Sequence, residues 1–255
     1  MTKLKAYILS FKEDKKRRAL LAERFEASGF KVVFVDAVRG SKLNKKEKEP
    51  FQSNNRQYKS SHILQDNAIG CALSHYKAWQ KIINSPEGYG FVFEDDAKPC
   101  FENVFYQISN LAKLSNKLDI VSLANRRPKL TRERIITCTE DTALYLLRGN
   151  DFGAEAYFIS ANAARQLLNH PQRFEYEVDI LIHHWWMHKC QILHLMPPLF
   201  IEDGRASTIG YSNVPRWRTD TWRLQIVRRI NRLFDSIRKR VFFANHLKLI
   251  RNRFS

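Results

Sequence analysis

The chain has 255 residues, 44% of them hydrophobic and 27% charged, which is ordinary for a globular protein and excludes a disordered or collagen-like one. A chain this long buries about 70–75% of its unfolded surface, so a core needs neither metal nor disulfides to hold it. The unusual figure is charge: 43 Lys and Arg oppose 26 Asp and Glu, a net of +17, and residues 215–255 alone hold 12 Lys and Arg against 2 Asp. The expected organisation is a mildly basic body over 1–214 and a strongly basic tail over 215–255.

Ala6-Tyr7-Ile8-Leu9 reads as a buried strand. Lys12 to Phe30 follows as a helix with Leu20, Leu21, Phe25 and Ala27 as its apolar stripe, and Gly29 stands where a C-terminal cap belongs. Val32 to Val35 is a second strand closing on Asp36, so the order fits a βαβ unit. Gly40 to His62 is lysine-rich and lacks apolar periodicity, which predicts a long mobile loop. Ala68 to Asn84 is a helix carrying Ala72, His75, Ala78, Trp79 and Ile82 on one side, stopped by Ser85-Pro86.

Phe91-Val92-Phe93 is the next buried strand and runs directly into Glu94-Asp95-Asp96. Leu118 to Leu123 predicts a strand, and Ile135 to Cys138 with Ala143 to Leu147 a hairpin. Ala156 to Ile159 and Ala161 to Leu168 form a strand and helix pair. Glu177 to His188 predicts one helix, and Gln191 to Leu195 a last strand before Pro197-Pro198. The alternation argues for an α/β fold.

No apolar run approaches the roughly 18 residues of a membrane-spanning helix, and Met1 to Ser10 lacks the pattern of a secretory signal. Cys71, Cys100, Cys138 and Cys190 show no Cys-x-x-Cys spacing, so reduced thiols and a cytoplasmic location are expected.

Three successive acids at a strand end repel one another strongly when desolvated. At the carboxyl end of a parallel strand they reach the crevice where open α/β sheets bind ligands. A divalent cation relieves the repulsion, and hard oxygen donors suit Mg²⁺ or Mn²⁺; a solvated acidic turn is the plain alternative. Gly70-Cys71-Ala72-Leu73-Ser74-His75 opens the preceding helix, where unpaired N–H groups favour an anion. His75 and Trp79, four apart, share a face and equally suit a packed core.

His184 and His188 have the spacing of a metal pair, but the Glu of His-Glu-x-x-His is missing, so no zinc site is expected. Adjacent Trp185 and Trp186 are a sugar platform or core. In the tail, Val227, Ile230, Leu233, Phe234, Ile237 and Val241 keep helical spacing among Arg228, Arg229, Arg232, Arg238, Lys239 and Arg240. A basic amphipathic helix points to an anionic membrane surface, with nucleic-acid attachment by phosphate neutralisation the rival reading and an ordinary packed terminal helix with a solvated basic face the plain alternative. Nucleic acid is not expected as the partner: the positive charge is concentrated outside the α/β body, and the acid triplet repels phosphate unless it holds metal.

In sequence order, Ala6-Tyr7-Ile8-Leu9-Ser10 with Arg17-Arg18, Val35-Asp36-Ala37, Gly70 to His75, Phe93 to Asp96, Ala156 to Ser160 and Val178-Asp179 resemble the family 25 glycosyltransferases over about residues 4–205. The resemblance implies a GT-A-like α/β fold with a mostly parallel central sheet flanked by helices, a UDP-sugar donor (most often UDP-galactose) and transfer with inversion. Glu94-Asp95-Asp96 would then hold Mn²⁺ or Mg²⁺ against the donor diphosphate, with His194 as a further metal or phosphate ligand. Ser10, Arg17, Asp36, Gly70, Ser74, His75, Glu94 and Asp95 are the candidate donor-binding residues. Asp179 is the first candidate for the general base and Glu155 the second.

The family commonly has a small residue where this chain has Glu155 and often Pro where it has Glu177, so the acceptor does not carry over. The expected activity is β-galactosyl transfer to a lipooligosaccharide or lipopolysaccharide core glycolipid at the inner face of the cytoplasmic membrane. A metal-dependent phosphodiesterase or nuclease is the alternative enzyme, and a basic nucleic-acid-binding protein the alternative outside enzymes.

Overall fold

A computed structural model of the chain describes residues 4–52, 64–101, 103–124, 132–149, 151–204 and 222–255. Strand β1 (Lys5–Ser10) leads into helix α1 (Lys15–Ala27), whose N-cap Asp14 side chain accepts from the Arg17 amide. The helix closes with the Phe30 amide donating to the Phe25 carbonyl and the Gly29 amide to that of Glu26. Gly29 takes φ 90°, a conformation open to a residue without Cβ, and the Phe25 and Phe30 rings meet edge-on across the turn. Leu21 and Phe25 are buried, one turn apart, whereas Leu20 and Ala27 are exposed because they lie off that face.

Strand β2 (Lys31–Asp36) follows. The predicted long loop is instead built, up to Gln52, from short helical turns. A 3-10 turn at Gly40–Lys42 precedes α2 (Lys45–Lys48), which Asn44 and Glu47 cap reciprocally, and a second turn at Glu49–Phe51 buries Phe51 against Phe174. Pieces of three and four residues are too short to display a period. Residues 53–62 of that expectation lie outside the described residues.

The remaining elements are α3 (Asp66–Ile83), β3 (Tyr89–Glu94), β4 (Ala97–Pro99), α4 (Val104–Ala112), β5 (Ile120–Ser122), β6 (Arg132–Thr137), β7 (Ala143–Leu147), β8 (Ala156–Ser160) and α5 (Ala161–Asn169). They continue with α6 (Val178–His183), α7 (Trp185–His188), β9 (Ile192–Met196), β10 (Phe200–Glu202) and α8 (Trp222–Phe254). The single helix expected over 177–188 is broken at His184, whose ψ of 53° leaves the helical range. Strands β4 and β10 pair antiparallel beside the main sheet, and they and α4 were not anticipated.

Eight strands form the main sheet in the order β2-β1-β3-β8-β5-β9-β7-β6. Strands β2, β1 and β3 are mutually parallel, β5 is parallel to β9, and β8 and β7 run against their neighbours. Six strands therefore point one way, as expected of a mostly parallel sheet, and the two reversed ones make it mixed. Successive residues alternate between two cores. Tyr7, Leu9, Val92 and Ile120 pack beneath α3, α5 and α6, while Ala6, Ile8, Phe91, Phe93 and Val121 pack on α1 and α4. A sheet covered on both faces requires the near-continuous apolar runs that mark these strands in the sequence.

The chain goes from β1 outward to β2 and returns on the other side of β1 to form β3. That reversal opens a crevice at the carboxyl ends of β1 and β3. Because β8 runs backwards, its first residue Ala156 pairs with Phe93, and the preceding Glu155 arrives at the same edge as Glu94.

The 33-residue α8 has two apolar sides. Ile250 is fully buried in the core with Phe243, Leu247 and Phe254 around it. His246 stacks on Trp185 at 4.2 Å, and Arg253 reaches Asp119 at 3.3 Å. Trp222, Ile226, Ile230, Leu233, Phe234, Ile237 and Val241 are 46–67% exposed; at about 100° per residue they form one stripe separate from the docked side. The side chains of Val227, Arg228 and Arg232 lie outside the described residues. Among the described residues, no helix is long and apolar enough to cross a membrane.

Candidate active site

A cavity of about 350 Å³ occupies the crevice, within the size range of small-ligand sites. Leu9 and Ser10 come from β1, residues 37–41 from the turn after β2, Asn67, Cys71 and Ser74 from α3, and Glu94 and Asp95 from the end of β3. Ser10 is 1% exposed, and its hydroxyl has no hydrogen-bond partner among the described residues. A buried hydroxyl without a partner is costly, so a ligand group at this wall would relieve it.

Several residues singled out in the sequence build the walls. The Ser74 hydroxyl accepts from the Val38 amide at 2.8 Å and donates to the Gly70 carbonyl at 2.7 Å. A Cβ on Gly70 would stand 2.4 Å from the Val38 carbonyl oxygen, so this glycine admits the chain's own backbone at 38–40 rather than an anion. Arg18 donates to the Ser10 carbonyl and to Asp36, both at 2.7 Å. That pairing holds the Asp36 carboxyl below its usual pKa, and Asp36 ends β2 beside the cavity rather than lining it. Arg17 pairs with Asp95 at 2.8 Å. Arg39, unremarked in the sequence, lines the cavity, lies over the Phe11 ring and pairs with Glu13. Nothing in the residues around it marks it as a site residue; only the turn after β2 brings it there.

Behind the cavity, His75 is fully buried between Tyr157 and Glu94. Its Nδ1 lies 2.8 Å from the Tyr157 hydroxyl and its Nε2 3.2 Å from Glu94 Oε1, while Trp79 Nε1 donates to the same hydroxyl at 2.8 Å. Burial lowers the imidazole pKa to about 3, so His75 is neutral near pH 7. Asp179 and Glu155 both act on this ring electrostatically, and Glu94, Asp179, Asp96 and Glu177 add to the burial that raises the Cys71 thiol pKa. The fold thus gathers around one face of α3 the acid triplet and both candidate bases. Glu155 is 3% exposed, whereas Asp179, in the first turn of α6, is only partly buried.

The donors at the triplet fit a hard divalent cation. Burial, reinforced by Glu94, Asp95 and Glu202, pushes the Asp96 carboxyl up to about 7. Its buried Oδ1 has no hydrogen-bond partner among the described residues. Asp95 pairs with Arg17 and Glu94 Oε1 faces His75, so within the triplet the Asp96 Oδ1 is the oxygen donor without a hydrogen-bond partner among the described residues. Cys71, His75 and Glu94 also lie within ligating reach of one another, within 4.8 Å, but the thiol keeps its proton and both imidazole nitrogens are engaged. Glu202, from β10, belongs to the same acidic rim, and the only signal for it was an acid pair closing the Leu199-Phe200-Ile201 run.

Other candidates fall elsewhere. His194, buried on β9, stands 3.7 Å from Asp151 and stacks on His183, and it is not part of the Cys71–His75–Glu94 group. His188 spends both nitrogens on backbone groups, at Ile182 and Cys190. Trp185 and Trp186 are at most 9% exposed; His246 stacks on the first and Lys239 lies over the second, so they pack α8 and do not form an open sugar platform.

An eight-stranded sheet with six strands pointing one way, helices on both faces and a cavity at its strand reversal make this a GT-A-like α/β fold. The description "Glycosyltransferase family 25 (LPS biosynthesis protein)" matches residues 3–182, and the chain belongs to that family. A Haemophilus influenzae protein with a glycosyltransferase designation is 26% identical over 204 residues, covering 77% of this chain and 70% of that protein. Human procollagen galactosyltransferase 2 is 30% identical over 121 residues, 46% of this chain and 19% of that one. The mouse inactive glycosyltransferase 25 family member 3 is 24% identical over 245 residues, 84% of this chain and 38% of that one. The chain therefore spans well under half the length of the two mammalian relatives.

Proposed function

We propose that the chain is an inverting, metal-dependent transferase that moves galactose from UDP-galactose in β linkage onto a lipooligosaccharide or lipopolysaccharide core acceptor. The observation that carries this reading is the cavity at the β1/β3 reversal, lined by Glu94 and Asp95, with the next residue, Asp96, keeping a buried oxygen that has no hydrogen-bond partner among the described residues. The galactosyltransferase relative supports the donor. In this reading Ser10, Arg39, Glu94 and Asp95 face the nucleotide, while Gly70, Ser74, Arg17, Arg18 and Asp36 hold the walls that shape its site. Glu94 and Asp96 would hold Mn²⁺ or Mg²⁺, which when bound offsets the charge of the departing diphosphate. His194 has a structural part against Asp151. Asp179 takes the proton of the acceptor hydroxyl, being open enough for an acceptor to reach, with Glu155 the second candidate.

The deciding experiment is a thermal-shift titration with UDP, with and without Mn²⁺, followed by a panel of sugar nucleotides. UDP should raise the melting temperature by mass action, about 2.7 kcal/mol at a hundred times Kd. The rise should depend on Mn²⁺, with one sugar nucleotide turned over preferentially. Absence of any shift at millimolar UDP with metal would remove the donor site, and hydrolysis of a phosphodiester without sugar transfer would replace it with the nuclease reading.

The enzyme sits on the inner face of the cytoplasmic membrane, with 1–214 carrying the catalytic residues and the exposed stripe of the 215–255 tail facing anionic lipid. The exposed stripe of α8 and its flanking Arg229, Arg238 and Arg240 support this. Deleting the tail would not test it, because Ile250 and its neighbours are part of the core. Leu233→Glu with Ile237→Glu should leave the melting temperature unchanged and weaken binding to vesicles containing anionic lipid on the order of a hundredfold. Undiminished vesicle binding by that double variant would end the membrane role.

A further inference from the structure

We propose that His75 is a positioning residue: Tyr157 locks its ring in the Nε2–H tautomer, and that N–H fixes the orientation of the Glu94 carboxylate. The inference rests on the reading of Glu94 as a donor-site group, and its basis is a count of protons in a buried chain of hydrogen bonds. Trp79 Nε1 can only donate, so its 2.8 Å contact uses a lone pair of the Tyr157 oxygen. The hydroxyl has one proton, and its other contact is His75 Nδ1 at 2.8 Å.

If Nδ1 carried the ring proton, the Tyr157 hydrogen would have no acceptor among the described residues. The bare Nε2 would then face Glu94 Oε1 at 3.2 Å, acceptor against acceptor. A doubly protonated ring would satisfy Glu94 but still strand the Tyr157 hydrogen, in a residue 2% exposed. With the hydroxyl donating to Nδ1 and Nε2–H donating to Glu94, every contact has its proton. The ring stacks on Tyr157 at 5.7 Å and is fully buried, which leaves it no room to turn. The consequence is a carboxylate oxygen, Glu94 Oε1, met by a donor that α3 and β8 hold in place together.

This explains why Gly70 to His75 matters to a site whose acids come from β3. Partners that orient a ligating group typically contribute about 10–100-fold in metal affinity. The test combines long-range ¹H–¹⁵N spectra of the full chain labelled in histidine with Mn²⁺-dependent UDP affinity. His75 should show a protonated Nε2 and a bare Nδ1. His75→Leu should lose about 10–100-fold in affinity, and His75→Gln, whose amide nitrogen can donate from nearly the same place, should recover most of it. Each variant is checked for folding by its melting temperature.

A protonated Nδ1 in a chain that binds UDP would overturn the positioning role alone. Equal losses in folded Leu and Gln variants would do the same. An Nε2–H ring in a chain that binds no UDP would remove the donor-site reading, and this role with it.

Discussion

Asp96→Asn is expected to make the metal-free protein more stable at pH 8 and to abolish Mn²⁺-dependent transfer. In the folded chain the Asp96 carboxyl is pushed up to about 7 by burial and by Glu94, Asp95 and Glu202; unfolded, it titrates near the ordinary value of about 3.9. Below that value both states are protonated and the group costs nothing. Between about 4 and 7 the folded state binds more protons than the unfolded one, so stability falls as pH rises, and above 7 the full cost is present. Asparagine has no charge to bury, so the variant should melt higher than wild type at pH 8, with the difference vanishing toward pH 4. Mn²⁺ should stabilise wild type and leave the variant unmoved, and turnover should drop by about a hundredfold or more. A variant that still responds to Mn²⁺ with wild-type turnover would take the metal away from Asp96.

The second large effect is expected at Asp179. Loss of a general base typically lowers turnover by about 10²–10⁴-fold. Asp179→Asn should therefore reduce kcat on that scale while UDP affinity and the donor KM change little. Glu155→Gln, deeper and 3% exposed, should do less to kcat. Collapse of UDP affinity in the Asp179 variant would make it a donor ligand instead, and a larger kcat loss in Glu155→Gln would transfer the base role. Both carboxylates act electrostatically on His75, so the pair should be measured separately before any double variant is made.

Much of this architecture was legible one strand at a time. A strand buried on both faces must be apolar throughout, so Ala6 to Leu9, Phe91 to Phe93 and Ala156 to Ile159 announced themselves as runs. The acids after Phe93 stood out because nothing apolar separates them from the strand. Glu155 was noticed only as a departure from the family pattern, and its place opposite Glu94 follows from the reversed direction of β8, a pairing that no local signal encodes. Gly40 to Gln52 was missed because its turns are too short for a period and are held by Asn44, Glu47 and Phe51 individually.

The amphipathic tail shows the division most clearly. Its spacing predicted one helix with an apolar stripe, and the described helix keeps that stripe. Spacing alone did not reveal a second apolar side, formed by Phe243, Leu247, Ile250 and Phe254, which enters the core. Periodicity identifies which residues share a face, not what the face meets.

The strand runs, the helix faces and the acid triplet are readable in the order of residues, because they depend on neighbours a few residues apart. Only the packed chain shows that Trp79, Tyr157, His75 and Glu94 form one chain of hydrogen bonds, that Arg17 and Arg18 pair with Asp95 and Asp36, and that a buried Asp96 oxygen has no hydrogen-bond partner among the described residues. Those facts turn on burial and on distances of about 3 Å between residues as many as 82 positions apart, where hydrogen bonds and desolvation act and local propensity has no reach.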